Sequence, residues 1–341
     1  MIYRSKAPLR IGLAGGGTDV SPYSDLYGGS ILNATISLYA TTHIEPVKDN
    51  KVTFFAADRG EETIIDLGAE IEFNGKLDLL KGVYKRIVSD YGIINHGIKI
   101  TTNVDAPAGS GLGTSSTLVV SLVGAFVEML KLPLGEYEIA KYAYSIERED
   151  LRLAGGKQDQ YAATFGGINY MEFKKDNQVI VNPLRVKLEY IQELENNMVL
   201  FYTSTSRESA DIIKKQQSNV INKQASSIDA MHLLKEQSIQ MKEALLRGNL
   251  DEIGHILDFG FEQKKKMADN ISNSLIEEIY NAAKNAGSTG GKISGAGGGG
   301  FMVFYCPGTS RYNVIKELTK FGGDIKHFNF TKHGLTAWTT K

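Results

Sequence analysis

The hydrophobic pattern of the first hundred residues alternates between strand-like stretches and a helix. Residues 41–47, 51–57 and 97–104 combine β-branched or aromatic side chains with a period of two, which is typical of half-buried strands. Residues 77–91 have helical spacing instead. The apolar positions that set this spacing are Leu80, Val83, Tyr84 and Ile87.

The later part of the chain is predicted to be mostly helical, over residues 209–287. One apolar face is formed by Leu250, Ile253, Ile256, Leu257 and Phe261. Ser274 begins a sequence with capping-box spacing that ends at Glu277, and Gly287 fits a helix C-terminus. The apolar run 301–305 then predicts a strand.

Strands and helices come in runs rather than in strict alternation, which indicates an α+β fold. A length of 341 residues allows two domains, at roughly 100–200 residues per domain. Polar residues around Asn182-Pro183 and at 193–197 mark the place where we expect the boundary. The prediction is an N-terminal domain over 1–185 and a C-terminal domain over 186–341.

Three glycine-rich segments interrupt this pattern, at residues 7–19, 107–116 and 292–300. Glycine lets the main chain adopt positive φ and approach a ligand closely, and successive N–H groups in such loops bind phosphate oxygens. The middle segment lies between the predicted strand 98–104 and a predicted helix that starts with hydroxyl residues at 115–117, which are typical N-cap residues. A free helix N-terminus in that setting predicts a phosphate site.

Composition limits the partners. The 36 glycines exceed the usual share of about 7%. The formal net charge is −1, so the chain has no basic field for a nucleic acid or an anionic membrane, and we expect neither partner. Phosphate affinity must therefore come from local geometry.

The single cysteine, Cys306, excludes an intrachain disulfide and a cysteine metal cage, and its apolar neighbours predict a buried strand residue. The N-terminus lacks the apolar segment of a secretory signal. The longest apolar run, 118–127, is interrupted by Ser121 and Gly124 and is too short to span a bilayer. We therefore expect a cytoplasmic protein.

The P-loop pattern G-x-x-x-x-G-K-[ST] can be tested at Gly291-Lys292. It fails there, because Ala286 occupies the first glycine position and Ile293 follows the lysine.

Together the three segments resemble the three signatures of the GHMP kinases, the superfamily of galactokinases, homoserine kinases, mevalonate kinases and phosphomevalonate kinases. The residues that carry the resemblance are Ala7-Pro8-Leu9-Arg10-Ile11 followed by glycines and Thr18-Asp19, the stretch 107–116, and the stretch 292–300. The resemblance implies a two-domain α+β fold. Its N-terminal ATP-binding domain would be like the second domain of ribosomal protein S5, and its C-terminal domain would be ferredoxin-like.

Within the superfamily, residues 6–19, 28–36 and 155–161 resemble the bacterial D-glycero-D-manno-heptose 7-phosphate kinases. This resemblance implies transfer of a phosphoryl group from ATP, with Mg²⁺, to the anomeric hydroxyl. The product would be the 1,7-bisphosphate, a precursor of nucleotide-activated heptose for lipopolysaccharide or S-layer glycans. The partners would be a small sugar phosphate and ATP. A homodimer is compatible with the resemblance, and the sequence does not determine the oligomeric state.

The resemblance implies that the middle loop binds the ATP phosphates with its N–H groups. The ATP-binding residues would be Pro107, Gly109, Ser110, Gly111, Leu112, Gly113, Thr114, Ser115 and Ser116. An ordinary capped helix is the simpler alternative, but three glycines in five residues are more than a cap requires. The metal ligands would be Ser116 and Glu147, since hard oxygen ligands suit Mg²⁺. For Glu147 a solvated helix face remains the alternative.

The catalytic residues implied by the resemblance are Asp159 and Arg10. Asp159 would act as the base, and Arg10 would lie beside it and offset the charge that develops on the transferring group. An aspartate beside glycines is otherwise more often a turn residue.

The substrate-binding residues implied are Thr18, Asp19, Gly156, Lys157, Arg207, Lys292, Gly295, Gly297 and Gly298. Asp19 would accept hydrogen bonds from sugar hydroxyls. Lys157, Arg207 and Lys292 are candidates for a cationic pocket around the 7-phosphate. The run 264–266, three lysines, is instead predicted to be a solvated helix face.

Two alternatives stay open. One is an L-fucokinase or another sugar 1-kinase of the same fold, and the other is a sugar- and ATP-binding sensor without catalysis. A third possibility, a dinucleotide-dependent dehydrogenase, fails because it needs a G-x-G-x-x-G loop before a helix. Residues 109–114 have that setting but end in Thr114, and residues 295–300 match but precede a strand.

Overall fold

The computed structural model describes residues 1–92, 94–204 and 209–341. Within these ranges the strands form one sheet of eight and one of four. The larger sheet contains β1 Ile2–Ala14, β2 Gly29–Val47, β3 Lys51–Ala56, β4 Glu61–Asp66, β5 Gly97–Val104, β6 Ile168–Phe173, β7 Val179–Pro183 and β12 Thr336–Thr340. The smaller sheet contains β8 Met198–Tyr202, β9 Gly290–Ile293, β10 Phe301–Tyr305 and β11 Asp324–Lys326.

The helices cover most of the remaining described chain. They are α1 Tyr23–Tyr27, α2 Asp78–Tyr91, α3 Thr114–Leu130, α4 Glu136–Ser145, α5 Gln158–Phe165, α6 Leu188–Asn197, α7 Ser209–Ile221, α8 Ala225–Arg247, α9 Asp251–Lys265, α10 Ser274–Asn285 and α11 Ser310–Leu318. A π-helical turn at Ile146–Asp150 follows α4, and a 3₁₀ turn at Thr319–Phe321 follows α11. Among the residues described, no helix combines the length and the apolar character needed to cross a bilayer.

The long strand β2 organises the larger sheet, whose order is β12-β1-β2-β5-β3-β4. The first part of β2, residues 29–34, pairs with β6, and its last part, residues 40–47, pairs with β5. β1 pairs with the other edge of β2, opposite to β5 and β6. Side chains alternate across a strand, so the buried Leu9, Ile11 and Leu13 share one face of β1. Arg10 lies on the other face, toward the candidate site described below.

The smaller sheet is antiparallel throughout, in the order β11-β8-β10-β9. Helices α8 and α9 join it to β1 and β2 through a shared apolar cluster, to which Met241, Leu257 and Phe301 belong. A second cluster packs α3 against the larger sheet, and α3 is therefore buried along most of its length. The two sheets thus meet near β1, which places the first and third glycine segments next to each other.

The strands predicted at 41–47, 51–57 and 97–104 are confirmed in β2, β3 and β5, and the helix predicted at 77–91 is α2. The predicted division at residue 185 stays a prediction, and the sheet pairing adds that the final strand β12 returns to β1.

The predicted N-caps are wrong at two helices. At α10 the cap is Asn273 rather than Ser274, and its side chain accepts a hydrogen bond from the backbone N–H of Ile276 at 3.0 Å. At α3 the N-cap is Gly113, which has φ +77° and no capping side chain, and Ser115 lies inside the helix. The first N–H groups of α3 therefore have no side-chain cap, so they are available to an anion.

Candidate functional site

A cavity of about 510 Å³ lies where the three glycine segments meet. This volume is in the range of small-molecule sites. The first segment contributes Arg10, Gly16 and Asp19 to the wall. The middle segment contributes some of residues 108–116, and the third segment contributes Lys292 and residues 295–296. The cavity is therefore lined by all three motifs that sequence analysis singled out.

Arg10 and Asp159 form a partly buried ion pair in the cavity wall. Arg10 Nε lies 2.7 Å from Asp159 Oδ1, and the arginine is only 4% exposed. A second guanidinium nitrogen donates to the carbonyl of Gly111 at 2.6 Å. The arginine thus links the candidate base to the middle glycine loop. Arg10 and Asp159 are far apart in the sequence, and the fold brings them together.

The middle loop is shaped by left-handed glycines. Gly109, Gly111 and Gly113 have φ values of +72°, +86° and +77°, a region that other residues avoid. A Cβ on Gly113 would lie 3.1 Å from Asp159 Cγ, so the candidate base packs directly against the start of α3. The loop and the base therefore face the same space.

Of the residues predicted to bind ATP, six line the cavity: Gly109, Gly111, Gly113, Thr114, Ser115 and Ser116. The others support the loop from behind. Leu112 is buried and its carbonyl accepts the N–H of Arg10 at 3.1 Å, while the carbonyl of Ser110 accepts the N–H of Phe301 at 2.9 Å. Pro107 accepts the N–H of Ser110 at 3.2 Å.

Ser116 and Glu147 meet in the cavity wall. The serine hydroxyl donates to Glu147 Oε2 at 2.6 Å, and Gln160 Nε2 donates to the same oxygen at 2.7 Å. Arg148 lies 3.2 Å from the other carboxylate oxygen. Glu147 is 2% exposed, so the alternative prediction, that Glu147 lies on a solvated helix face, is wrong.

The π-helical turn explains how Glu147 and Arg148 both reach the cavity. An extra residue in one helical turn shifts the register of its side chains, and such turns occur frequently at functional sites. Glu149, two residues further on, is exposed and does not line the cavity. Nothing in the local sequence predicts this turn.

Asp19 occupies the wall between Gly156 and Gln158. Its Oδ2 accepts the N–H of Gln158 at 3.0 Å, and a Cβ on Gly156 would lie only 1.9 Å from that oxygen. Burial raises the pKa of Asp19, the hydrogen bond from Gln158 opposes this, and the nearby Asp159 carboxylate adds to the increase. Thr18 does not line the cavity and instead closes the loop, with its hydroxyl 2.8 Å from the carbonyl of Gly15.

Two lysines lie in the cavity wall, although the run 264–266 was predicted to be solvated. That prediction is wrong for Lys264, which is 4% exposed, while Lys292 is 6% exposed. Lys264 Nζ donates to the carbonyl of Gly295, and Lys292 Nζ donates to the carbonyl of Gly12 at 2.8 Å. Burial, with Arg10 nearby, lowers the pKa of Lys264 to about 8 despite the attraction of Asp19.

Burial lowers the pKa of Lys292 even further, and the charges of Lys264 and Arg10 add to the effect. The two ammonium groups therefore repel each other in a region of low solvent access.

The other predicted substrate residues lie in different surroundings. Lys157 is buried but points to Asp25, with 3.5 Å between its Nζ and Oδ1, and it is not part of the cavity wall. Gly295 lines the cavity, whereas Gly297 and Gly298 pack against Ile271. Arg207 lies outside the described residues.

Sequence reasoning missed Gln158 as well as Lys264. Within the described part of the chain, Gln158 Oε1 is a buried acceptor without a hydrogen-bond partner, and the residue lines the cavity beside Asp159. Buried polar atoms normally have hydrogen-bond partners, so this oxygen is suited to accept a hydrogen bond from a ligand in the cavity. The predicted helical spacing did signal Lys264, since it follows Leu257 and Phe261 on the buried face of α9.

Two family models match the chain. The model described as GHMP kinases N terminal domain matches residues 78–167, and the model described as GHMP kinases C terminal matches residues 241–324. The predicted two-domain fold of this superfamily is thereby confirmed.

Individual relatives agree with the family models. The chain is 47% identical over 335 residues to a D-glycero-alpha-D-manno-heptose 7-phosphate kinase of Campylobacter jejuni, covering 98% of each chain. It is 27% identical to an L-fucokinase/L-fucose-1-P guanylyltransferase of Bacteroides fragilis, covering 87% of this chain but 34% of that protein. A crystal structure of a D-glycero-D-manno-heptose 1-phosphate kinase from Bacteroides thetaiotaomicron superposes with a TM-score of 0.85 at 45% identity, covering 99% of each chain.

Proposed function

Because the chain belongs to the GHMP kinases, we propose that it phosphorylates the anomeric hydroxyl of D-glycero-D-manno-heptose 7-phosphate with ATP, giving the 1,7-bisphosphate and ADP. The observation that carries this proposal is the Arg10–Asp159 pair, which faces both the glycine loop before α3 and the Asp19 side of one cavity. The choice of sugar rests on the relative that is 47% identical over nearly its whole length.

In this reaction the anomeric oxygen attacks the γ-phosphorus, the bond from that phosphorus to the β,γ-bridging oxygen breaks, and ADP leaves. Asp159 accepts the proton of the attacking hydroxyl. Arg10 keeps the Asp159 carboxylate in place and offsets the negative charge that develops on the transferred group. The N–H groups at the start of α3 hold the ATP phosphates, so the reacting atoms are brought into line.

Ser116 and Glu147 are the residues that would hold a Mg²⁺ ion. Both supply hard oxygen atoms, they lie within hydrogen-bond distance of each other, and both line the cavity. No cluster of three or more His, Cys, Asp or Glu side chains occurs in the described ranges. The bound ion would neutralise phosphate charge.

Asp19 and Gln158 are the proposed sugar-binding acceptors. Asp19 is held in place by the backbone of Gln158, and Gln158 Oε1 is the buried acceptor that lacks a donor among the described residues. Sugar hydroxyls would supply donors to both oxygens. Such a site discriminates strongly against a ligand without the matching hydroxyl, because a buried acceptor would then stay unpaired.

The test is ADP release with Mg·ATP and, in parallel, D-glycero-D-manno-heptose 7-phosphate, the dephosphorylated heptose, L-fucose, D-mannose and galactose. We expect the highest kcat/KM with the heptose 7-phosphate. A higher kcat/KM with L-fucose would agree with membership of the family but would contradict the proposed substrate. Binding of ATP without ADP release on any sugar would favour a sensor instead.

A substitution at Glu147 tests the metal site. We expect Glu147→Gln to raise the Mg²⁺ concentration needed for half-maximal activity by on the order of 10–100-fold, because the neutral amide is a weaker ligand than the carboxylate. The matched control is Glu149→Gln, the same change at an exposed residue of the same turn. The measurement is a Mg²⁺ titration of the rate at saturating ATP. Equal titration curves for the two variants would remove Glu147 from the proposed site.

A further inference from the structure

Lys264 and Lys292 form a cationic pair whose charge is not balanced within the protein. Both ammonium groups lie in the cavity wall, and no carboxylate forms an ion pair with either of them in the described ranges. Each donates a hydrogen bond to a backbone carbonyl. An ammonium group has three N–H donors, so both lysines have donors left for a ligand.

The wider cluster also carries excess positive charge. Arg10 is close enough to lower the pKa of both lysines, and its own partner is Asp159. Asp19 is the remaining nearby carboxylate that acts on Lys264. When both lysines are protonated, three buried cations thus face two carboxylates. Burying an unpaired charge is costly, and a bound anion would offset that cost.

The space for this anion lies at Gly16. A Cβ placed on Gly16 would be 3.7 Å from Lys264 Nζ and 3.9 Å from Lys292 Nζ, so both ammonium groups approach the same point beside Gly16. Since Gly16 has no side chain, this part of the cavity stays open.

The acidic residue that acts on Lys264 is Asp19 and not Glu147, the proposed metal ligand. Asp159 packs against Gly113 at the start of α3, and Glu147 lies further along beside Ser116. Lys264 instead interacts with Asp19, the proposed sugar acceptor. An anion held by the lysines would therefore lie near Asp19, so we assign it to the sugar rather than to the nucleotide.

We propose that Lys264 and Lys292 bind the phosphate group that the acceptor sugar already carries, and that they thereby determine the preference for a sugar phosphate over a free sugar. This inference rests on the proposed function and adds a subsite to it. Of the cations considered for this role from the sequence, it retains Lys292 and adds Lys264. Lys157 is not included, because its ammonium group faces Asp25.

The inference predicts a pH dependence of sugar-phosphate binding. A phosphate monoester is a dianion above about pH 6, whereas the pKa of Lys264 in the unliganded protein is lowered to about 8. As the pH rises through 8, Lys264 becomes neutral, so the KM for the heptose 7-phosphate should rise. The other charged groups that face Lys264 are Arg10, Lys292 and Asp19. The KM of the Lys264→Met variant should lose this rise between pH 7 and 9.

The decisive experiment compares two substrates with two forms of the protein. Wild type and Lys264→Met are assayed with D-glycero-D-manno-heptose 7-phosphate and with the dephosphorylated heptose, whose affinity is measured by competitive inhibition if its turnover is slow. We expect the variant to lose on the order of 10–10³-fold in affinity for the sugar phosphate. Its affinity for the free heptose should change by less than about threefold. Lys292→Met should behave in the same way.

The matched control is Lys266→Met, which removes an exposed ammonium group from the same run of lysines. Gly16→Ala is a second variant, because its methyl group would be in ordinary contact with both lysines and would narrow the space between them. It too should weaken binding of the sugar phosphate more than binding of the free sugar. ATP affinity and the melting temperature without ligand show that each variant is folded.

Two results would overturn the inference while leaving the proposed function intact. Equal losses with both substrates would mean that the lysines act on the transferred phosphoryl group, and unchanged affinity for the sugar phosphate would mean that they bind neither. If wild type releases no ADP with the heptose 7-phosphate, the proposed function fails, and this inference fails with it.

Discussion

Replacing Asp159 with asparagine is expected to lower kcat by on the order of 10²–10⁴ with little change in ATP affinity. The asparagine carbonyl can still accept the hydrogen bond from Arg10 Nε that the carboxylate accepts at 2.7 Å. What it cannot do is take up the proton of the sugar hydroxyl. The measurements are kcat for the heptose 7-phosphate and the Kd for ATP.

The control for this variant is Asp150→Asn. Asp150 also pairs with an arginine, at 2.9 Å from Arg86, but it lies on the surface outside the cavity wall. Loss of a surface ion pair costs little, so kcat should stay near the wild-type value. If Asp159→Asn is as active as this control, Asp159 is not the base.

Replacing Gly111 with alanine is expected to lower kcat/KM for ATP by on the order of 10²-fold or more, since small misplacements of reacting groups have effects of that size. Gly111 has φ +86°, and a Cβ there would lie 2.5 Å from the carbonyl oxygen of Ser294. The middle and third glycine segments would have to separate, and Arg10, which donates to the carbonyl of Gly111, would shift with them. Steady-state kinetics with varied ATP measures the effect.

Gly68→Ala separates the clash from the backbone strain. Gly68 has φ +83°, but nothing lies within 4 Å of its Cβ position. Both alanine variants therefore carry the cost of a left-handed residue, of about 1 kcal/mol, and only Gly111→Ala carries the clash. Similar kinetics for the two variants would show that contact between the glycine segments is not needed for ATP use.

The strands, the long helices and the three glycine loops could be predicted from the sequence because each has a local signal. Period-two patterns identified β3 and β5, and clustered glycines identified loops that indeed use positive φ at Gly109, Gly111 and Gly113. The contact between Arg10 and Asp159 could not be predicted from spacing. It depended on the resemblance to the GHMP kinases, since only the folded chain brings β1 and α5 together.

Lys264 shows why the rest of the site was harder to predict. A run of three lysines is typical of a solvated helix face, and that holds for Lys266 but not for Lys264. The helical period places Lys264 on the same buried face of α9 as Phe261, which indicates a buried position. The run of three lysines indicates the opposite, and it is the stronger of the two signals in the sequence. The π-helical turn that brings Glu147 and Arg148 into the cavity has no comparable signal.

In the proposed reaction, a sugar that already carries one phosphate receives a second one on its anomeric oxygen. One similar protein, from Campylobacter jejuni, is named a heptose 7-phosphate kinase, and another, from Bacteroides thetaiotaomicron, is named a heptose 1-phosphate kinase. The two names thus differ in the carbon that carries the phosphate. The most direct measurement is therefore a ³¹P–¹H correlation spectrum of the product formed from D-glycero-D-manno-heptose 7-phosphate and Mg·ATP. A new phosphorus signal coupled to the anomeric proton, together with the retained 7-phosphate, is the predicted result. A new phosphate on any other carbon, or ADP release without a bisphosphate, would contradict it.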